Sequence, residues 1–207
     1  CRLGAMRLKG PNRLFSNPHS GGLGWALPAA LGAQLARPGK LTIAAMGDGS
    51  YIFANPVACH QIAEALALPI LIIIKNNAMW NAVRRSVVNA YPGGSAAHAN
   101  RMPLTSLEPL PDFAAIASAS RAFAERVETP AALPQALARA CAAIKTEGRS
   151  ALLDVRVIMP AIMEHGLGQP LVGKVFDQSV QKVQDRVIGP HRAAGMLGLE
   201  PVDDVVG

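Results

Sequence analysis

Residues 41–80 read LTIAAMGDGSYIFANPVACHQIAEALALPILIIIKNNAMW: a strand, a tight acidic Gly turn, a helix, a second strand and an Asn pair. Two short runs, Leu41–Met46 and Ile70–Lys75, are rich in Ile and Leu, the composition of strands covered on both faces of a parallel sheet. Each run ends in polar residues that a core would not accept. Between them, Asn55 followed by Pro56 marks a helix start: a side-chain oxygen to cap free N–H groups and a ring that presets the first turn. The helix is expected to reach about Leu68 and to stop before Pro69.

This strand–helix–strand unit places Gly47-Asp48-Gly49-Ser50 and Asn76-Asn77 just past the carboxyl ends of two strands, which a right-handed crossover brings side by side. Neighbouring strands lie about 4.8 Å apart, so the side-chain oxygens of Asp48 and Asn77 can share one small cation. Mg²⁺ fits such a pair, because it takes oxygen ligands at about 2.1 Å and fills its other positions with water and phosphate oxygens. Gly47 and Gly49 suit the same chemistry, since a phosphate touches main chain only where no Cβ intervenes.

Upstream, GGLGWALPAALGAQLARPGK (residues 21–40) reads as a helix, with Ser20 available to cap it, Leu27, Leu31 and Leu35 at helical spacing, and Pro38-Gly39 as the stop. Its Gly-rich opening is not the dinucleotide fingerprint, because a third Gly is missing and no strand precedes it. Taken alone it fits either tight helix packing or close approach of a ligand.

Together, GGLG, GDGS and the Asn pair resemble the cofactor motifs of thiamine diphosphate enzymes, in the branch that includes acetolactate synthases and benzoylformate decarboxylases. The resemblance covers about residues 14–158, because DFAAIASAS, ERVETPAAL and GRSALLDVRV also look like the end of an acetolactate synthase C-terminal domain. It implies that Asp48, Asn77 and the main-chain carbonyl of Met79 hold Mg²⁺, and that Gly47, Gly49 and Ser50 approach the diphosphate. It further implies that the Gly21 carbonyl, beside Gly22, accepts a hydrogen bond from the aminopyrimidine, and that Leu23 props the cofactor in a bent shape. The bend makes the cofactor its own general base by proximity. Asp48 and Asn77 stand slightly farther apart than in the commonest members; the surplus falls between Ser50 and Pro69, where YIFANP is expected to form a longer approach to the helix.

The implied activity is decarboxylation of a 2-oxo acid, ending in protonation or in attack on a second carbonyl. That chemistry also needs a glutamate against the pyrimidine ring, supplied in this family by a pyrimidine-binding domain on another subunit or chain. Glu64, Glu108 and Glu125 lack the setting for it, so no catalytic residue is assigned within this chain. The first residue is Cys1 and not Met, which fits part of a longer polypeptide, or a subunit working beside another in a homo- or hetero-oligomer. No flavin motif is evident, and the family's flavin region would lie upstream; FAD is therefore not indicated by these residues.

After Met79 and Trp80, which are candidates to wall a substrate pocket, the family has a short helix. Here Arg84-Arg85 stand near a diphosphate or an anionic substrate, or on a solvated face. PGGSAAHAN, containing His98, reads as a flexible loop. Further on, Pro111-Asp112-Phe113 opens a helix, Phe123–Val127 is a strand, Thr129-Pro130 caps a helix through Ile144, and Ala151–Ile158 is a final strand. The fold class is thus α/β: an open, mainly parallel sheet with helices on both faces and a ligand at its carboxyl edge. Residues 1–20 read as a leading loop with a short strand at Arg13–Phe15, residues 21–158 as the diphosphate and Mg²⁺ domain, and residues 159–207 as an extension of unassigned role. The extension holds one amphipathic helix near 175–187, and His165 and His191 have no evident ligand set.

Bulk properties narrow the alternatives. The net charge of +6 is scattered, aromatics make up 4%, and no basic run is interleaved with stacking residues, so nucleic acid is not an expected partner. Cys1, Cys59 and Cys141 are far apart and odd in number, which disfavours disulfides and zinc. No apolar run is long enough to span a bilayer and no signal peptide is visible, so a cytoplasmic location is expected. Two other classes compete: a non-catalytic cofactor-binding or truncated interaction module, and a Mg²⁺-dependent phosphate-ester enzyme with Asp48 as nucleophile. The second lacks a nearby second acid and leaves GGLG and the Asn pair unexplained.

Overall fold

The computed structural model describes residues 13–17, 22–99 and 102–157. Gly21, the Ser20 cap, residues 1–12 and the 159–207 extension with His165 and His191 lie outside the described residues.

Helix α1 (Ala26–Ala36) precedes strand β1 (Ile43–Gly47), helices α2 (Asp48–Phe53) and α3 (Pro56–Ala65), and strand β2 (Leu71–Asn76). Helices α4 (Asn81–Ala90), α5 (Ser95–His98) and α6 (Phe113–Ser118), strand β3 (Phe123–Val127), helix α7 (Leu133–Glu147) and strand β4 (Ala151–Arg156) follow. The four strands are all parallel, in the order β1-β2-β4-β3.

Strand alternation divides the core into two layers. Ala44, Met46, Ile72, Ile74 and Leu152 face Leu27 and Leu31 of α1, Tyr51 of α2, Cys59 and Ala63 of α3, and Phe113 of α6. Leu71, Ile73, Leu153, Val155 and Val127 face α7 through Leu133, Leu137, Cys141 and Ile144. The continuous apolar runs of the sequence are therefore strands covered on both sides, as the α/β reading requires. Burying a Leu or Ile side chain contributes about 1.5–3 kcal/mol, and Leu71, Ile72, Ile73 and Ile74 are all at most 1% exposed, which makes β2 the most firmly fixed element at the site.

Several local expectations change. No helix-capping bond reaches the Asn55 side chain; its backbone instead takes the left-handed conformation (φ 52°) that turns the chain from α2 into α3. The residues YIF do not lengthen a loop, because a helix begins directly at Asp48 and runs through them. Helix α3 stops at Ala65 and not near Leu68: Ala67 is left-handed (φ 48°), Leu68 N–H bonds Ala63 O at 2.8 Å, and Ala67 N–H bonds Glu64 O at 3.1 Å. This paired closure satisfies the last carbonyls without the usual glycine. Leu35 is 61% exposed, so α1 buries only one face. Arg13–Phe15 is not a strand, Thr129 makes no capping bond, and PGGSAAHAN contains the short helix α5. Asp112 does cap α6, accepting from Ala115 N–H at 3.0 Å.

Candidate functional site

Because β1 pairs with β2 in parallel register, Gly47 lying opposite Lys75, the two polar clusters emerge together at the carboxyl edge. Asp48, the first residue of α2, is only 3% exposed. One of its oxygens accepts from Gly49 N–H at 2.9 Å and the other from Asn77 N–H at 3.1 Å, which joins the two clusters directly. Burial raises the Asp48 pKa above the ordinary carboxyl value, while hydrogen bonds from the Gly49, Ala78, Asn77 and Met79 N–H groups oppose that shift.

The turn after β2 is shaped by its own side chains. Asn77 Oδ1 accepts from Met79 N–H at 3.2 Å, and Asn76 Oδ1 accepts from Ala78 N–H at 3.1 Å. Ala78 is left-handed (φ 58°), a conformation that disfavours a residue with a Cβ and needs such support. Residues 105–107 brace the outside of the turn: Trp80 N–H bonds Thr105 O at 2.8 Å and Leu107 N–H bonds Ala78 O at 2.9 Å. The Met79 carbonyl accepts one hydrogen bond, from Asn81 N–H at 2.9 Å, and a carbonyl oxygen has two lone pairs.

The glycines separate by role. Beside Gly22 and Gly47 the position of an added Cβ is open, with no atom within 4 Å. At Gly49 that position lies 2.5 Å from Cε3 and Cζ3 of Trp80, whose indole occupies the space and meets the Phe53 ring edge-on at 5.8 Å and 89°. Gly24 (φ +90°) lies against the end of α2, where a Cβ would fall 2.7 Å from Ala54 N. Within the GGLG segment, Gly24 shows the tight helix packing, and the main chain at Gly22 faces open space. Leu23 stands between them, 47% exposed. Ser50 is half-buried.

Residues outside this cluster find other partners. Glu64 accepts from Arg121 at 2.7 Å and Glu125 pairs with Arg139. Helix α4, which carries Arg84 and Arg85, buries no residue, and His98 is exposed. Cys59 and Cys141 are free buried thiols. Among the described residues there is no group of three His, Cys, Asp or Glu suited to a metal, so a cation here would take one carboxylate plus amide and carbonyl oxygens, the donor set of a hard ion. Sequence reasoning missed the layer behind the turn. Asp154, within the apolar run ALLDV, is fully buried, and its Oδ1 accepts from Asn76 Nδ2 at 2.7 Å.

Residues 2–155 match the family model for the thiamine pyrophosphate enzyme C-terminal TPP binding domain. The chain belongs to this family. Over 149 residues it is 28% identical to acetolactate synthase isozyme 3 large subunit of Escherichia coli, which takes in 71% of this chain and 24% of that protein. It is 40% identical over 67 residues to benzoylformate decarboxylase of Pseudomonas aeruginosa (32% of this chain, 12% of that one), and 38% identical over 105 residues to the acetolactate synthase large subunit of Porphyra purpurea (51% and 16%). Among solved structures, a thiamine diphosphate-dependent 4-hydroxybenzoylformate decarboxylase from Rhodococcus jostii superposes with a TM-score of 0.54 at 29% identity, over 68% of this chain and 24% of that one. The chain thus spans about a quarter or less of the length of these relatives. The fold is that of a cofactor-binding domain of thiamine diphosphate enzymes, and the expected α/β class holds. No helix among the described residues is long and apolar enough to cross a membrane.

Proposed function

We propose that this thiamine diphosphate-binding domain forms the diphosphate and Mg²⁺ half of a 2-oxo acid decarboxylase or carboligase site. A pyrimidine-binding domain carrying the activating glutamate would complete it on another subunit or chain. The observation that carries the reading is the buried Asp48 carboxylate joined to Asn77 N–H, beside Gly47, whose main chain faces open space at the same sheet edge. Asp48, Asn77 Oδ1 and the second lone pair of the Met79 carbonyl would hold Mg²⁺; Gly47, Gly49 and Ser50 would meet the diphosphate; and Gly21, Gly22 and Leu23 would meet the rest of the cofactor.

When bound, the cofactor supplies an electron sink for loss of CO₂ from a 2-oxo acid. The residues of this chain bind and orient it. Asp48 would bring one negative charge to the cation. The hydrogen bonds that Asn76 and Asn77 accept from the N–H groups that follow hold the turn in place. Leu23, half exposed beside the turn at Gly24, is the apolar wedge that would keep the cofactor bent.

Calorimetric titration with thiamine diphosphate, with and without Mg²⁺, tests this reading, followed by the same titration with a pyrimidine-domain partner and a 2-oxo acid. Mg²⁺-dependent binding that tightens with the partner, accompanied by CO₂ release, is the expected result. Folded protein that binds nothing under any of these conditions overturns it and leaves a non-catalytic module.

A further inference from the structure

Behind the Asn76–Met79 turn, Asn76 of the motif meets two polar side chains, Asp154 and Arg126, that neither the motif nor the proposed ligand set includes. Asp154 on β4 sits in register with Arg126 on β3 and with Ile74 on β2, two residues before Asn76. All three polar residues, Arg126, Asp154 and Asn76, share the strand alternation of Ala124, Leu152 and Ile74, so they occupy the sheet face that otherwise packs against α1, α2, α3 and α6. Asp154 and Asn76 are both fully buried in this layer. Such placement disfavours a charge unless its oxygens are satisfied. Asp154 Oδ1 accepts from Asn76 Nδ2 at 2.7 Å and Oδ2 from Arg126 Nε at 3.1 Å. Asn76 Oδ1, its orientation fixed by the first bond, accepts from Ala78 N–H and from Arg156, each at 3.1 Å.

We infer that Asp154 is a positioning residue for the cofactor turn, acting through Asn76 to hold Ala78 left-handed and so to present Asn77 Oδ1 and the Met79 carbonyl. The inference rests on the proposed metal and diphosphate reading for its consequence. The bond to Asp154 forces the Asn76 amide to turn its nitrogen inward and its oxygen outward. The oxygen then meets the N–H of the one residue in the turn with positive φ. Without Asp154, the buried Asn76 Nδ2 loses its acceptor and only the donors at Oδ1, Ala78 N–H and Arg156, still hold the amide, so the support of the left-handed alanine weakens.

The chemistry supplies its own rescue. In Asp154→Asn, two donors, Asn76 Nδ2 and Arg126 Nε, converge on an amide with a single oxygen, so one bond is replaced by a donor against a donor. Adding Asn76→Asp reverses the polarity of the inner bond: Asn at 154 gives its NH₂ to Asp at 76 and keeps its oxygen for Arg126, while the second oxygen at 76 still serves Ala78 and Arg156. The test compares wild type, Asp154→Asn and the Asn76→Asp/Asp154→Asn double variant in the full chain. It uses titration with thiamine diphosphate plus Mg²⁺, amide hydrogen exchange at Ala78 without ligand, and thermal melting.

Asp154→Asn is expected to weaken Mg²⁺-dependent binding by about 10- to 100-fold and to speed Ala78 exchange, with the double variant recovering both to within a few-fold of wild type. A single variant that melts lower but keeps wild-type affinity and Ala78 exchange overturns the inference, as does a loss that the double variant does not recover. If wild type shows no Mg²⁺-dependent binding, the cofactor reading fails, and the exchange data still decide whether Asp154 sets the turn. Should Asp154→Asn not fold, Asn76→Ala leaves Asp154 paired with Arg126 and removes the acceptor of Ala78 N–H; weaker binding and faster Ala78 exchange are expected, and unchanged binding and exchange refute the inference.

Discussion

Adding one methyl group at Gly49 measures what that glycine is for. Its Cβ would lie 2.5 Å from Cε3 and Cζ3 of Trp80 and 3.3 Å from Cη2, against ordinary carbon–carbon contacts of about 3.5–4.0 Å. The indole must therefore move by about 1 Å or swing away. Swinging away forfeits the edge-to-face contact with Phe53, about 0.5–1.5 kcal/mol, and staying incurs an overpacking penalty of about 1–3 kcal/mol. Against this, Gly49 is the second residue of α2, where alanine is favoured over glycine by up to about 1 kcal/mol.

Gly49→Ala alone should lose about 1 kcal/mol, whereas in a Trp80→Ala background the same change should be neutral or stabilising, giving a coupling of about 1–2 kcal/mol. Urea unfolding of the four proteins measures this coupling. Additivity within about 0.5 kcal/mol refutes the claim that Trp80 fills the space. Titration with thiamine diphosphate and Mg²⁺ then adds a functional readout. Binding that fails in Gly49→Ala and returns in the double variant assigns the glycine to packing, and binding that stays lost assigns it to the diphosphate.

Further predictions concern the same edge of the sheet. Asp48→Ala should abolish measurable Mg²⁺-dependent binding in calorimetry, and it should also lower stability by about 1–3 kcal/mol, because it strips the acceptor from Asn77 N–H. Gly24→Ala should destabilise by about 2–5 kcal/mol in urea unfolding, combining left-handed strain with a clash against the Phe53–Ala54 backbone; a change under about 0.5 kcal/mol would show that α1 and α2 do not meet there. His60 is 1% exposed, shares a 2.8 Å hydrogen bond with Tyr51 OH, and is held by burial at a pKa of about 4. The unfolded chain takes up its proton near pH 6.5, so stability should fall as pH drops from about 6.5 to about 4, by up to about 3 kcal/mol. His60→Gln should flatten that part of the profile relative to wild type, and parallel profiles would count against it.

The strands, the two polar clusters and their meeting are legible in the residues alone. Runs such as LTIAAM and ILIIIK are short, rich in Ile and Leu and bounded by polar residues, the pattern of buried strands, and a helical crossover in a parallel sheet brings their carboxyl ends together. Local signals were weaker where several conformations serve one residue type. Asn55 and Ala67 both take positive φ, one where a side-chain cap was expected and the other where glycine is usual, because the α2–α3 turn and the closing bonds of α3 fix the backbone there.

The packed structure settles which glycine faces open space and which faces an indole, since Gly47 and Gly49 differ by what packs beside them and not by anything in GDGS. It alone also paired Asn76 with Asp154, seventy-eight positions away, because that bond depends on the β1-β2-β4-β3 strand order, which places the last strand beside the second. A lone acid in an apolar strand signals that a partner exists; the sheet order determines which residue it is.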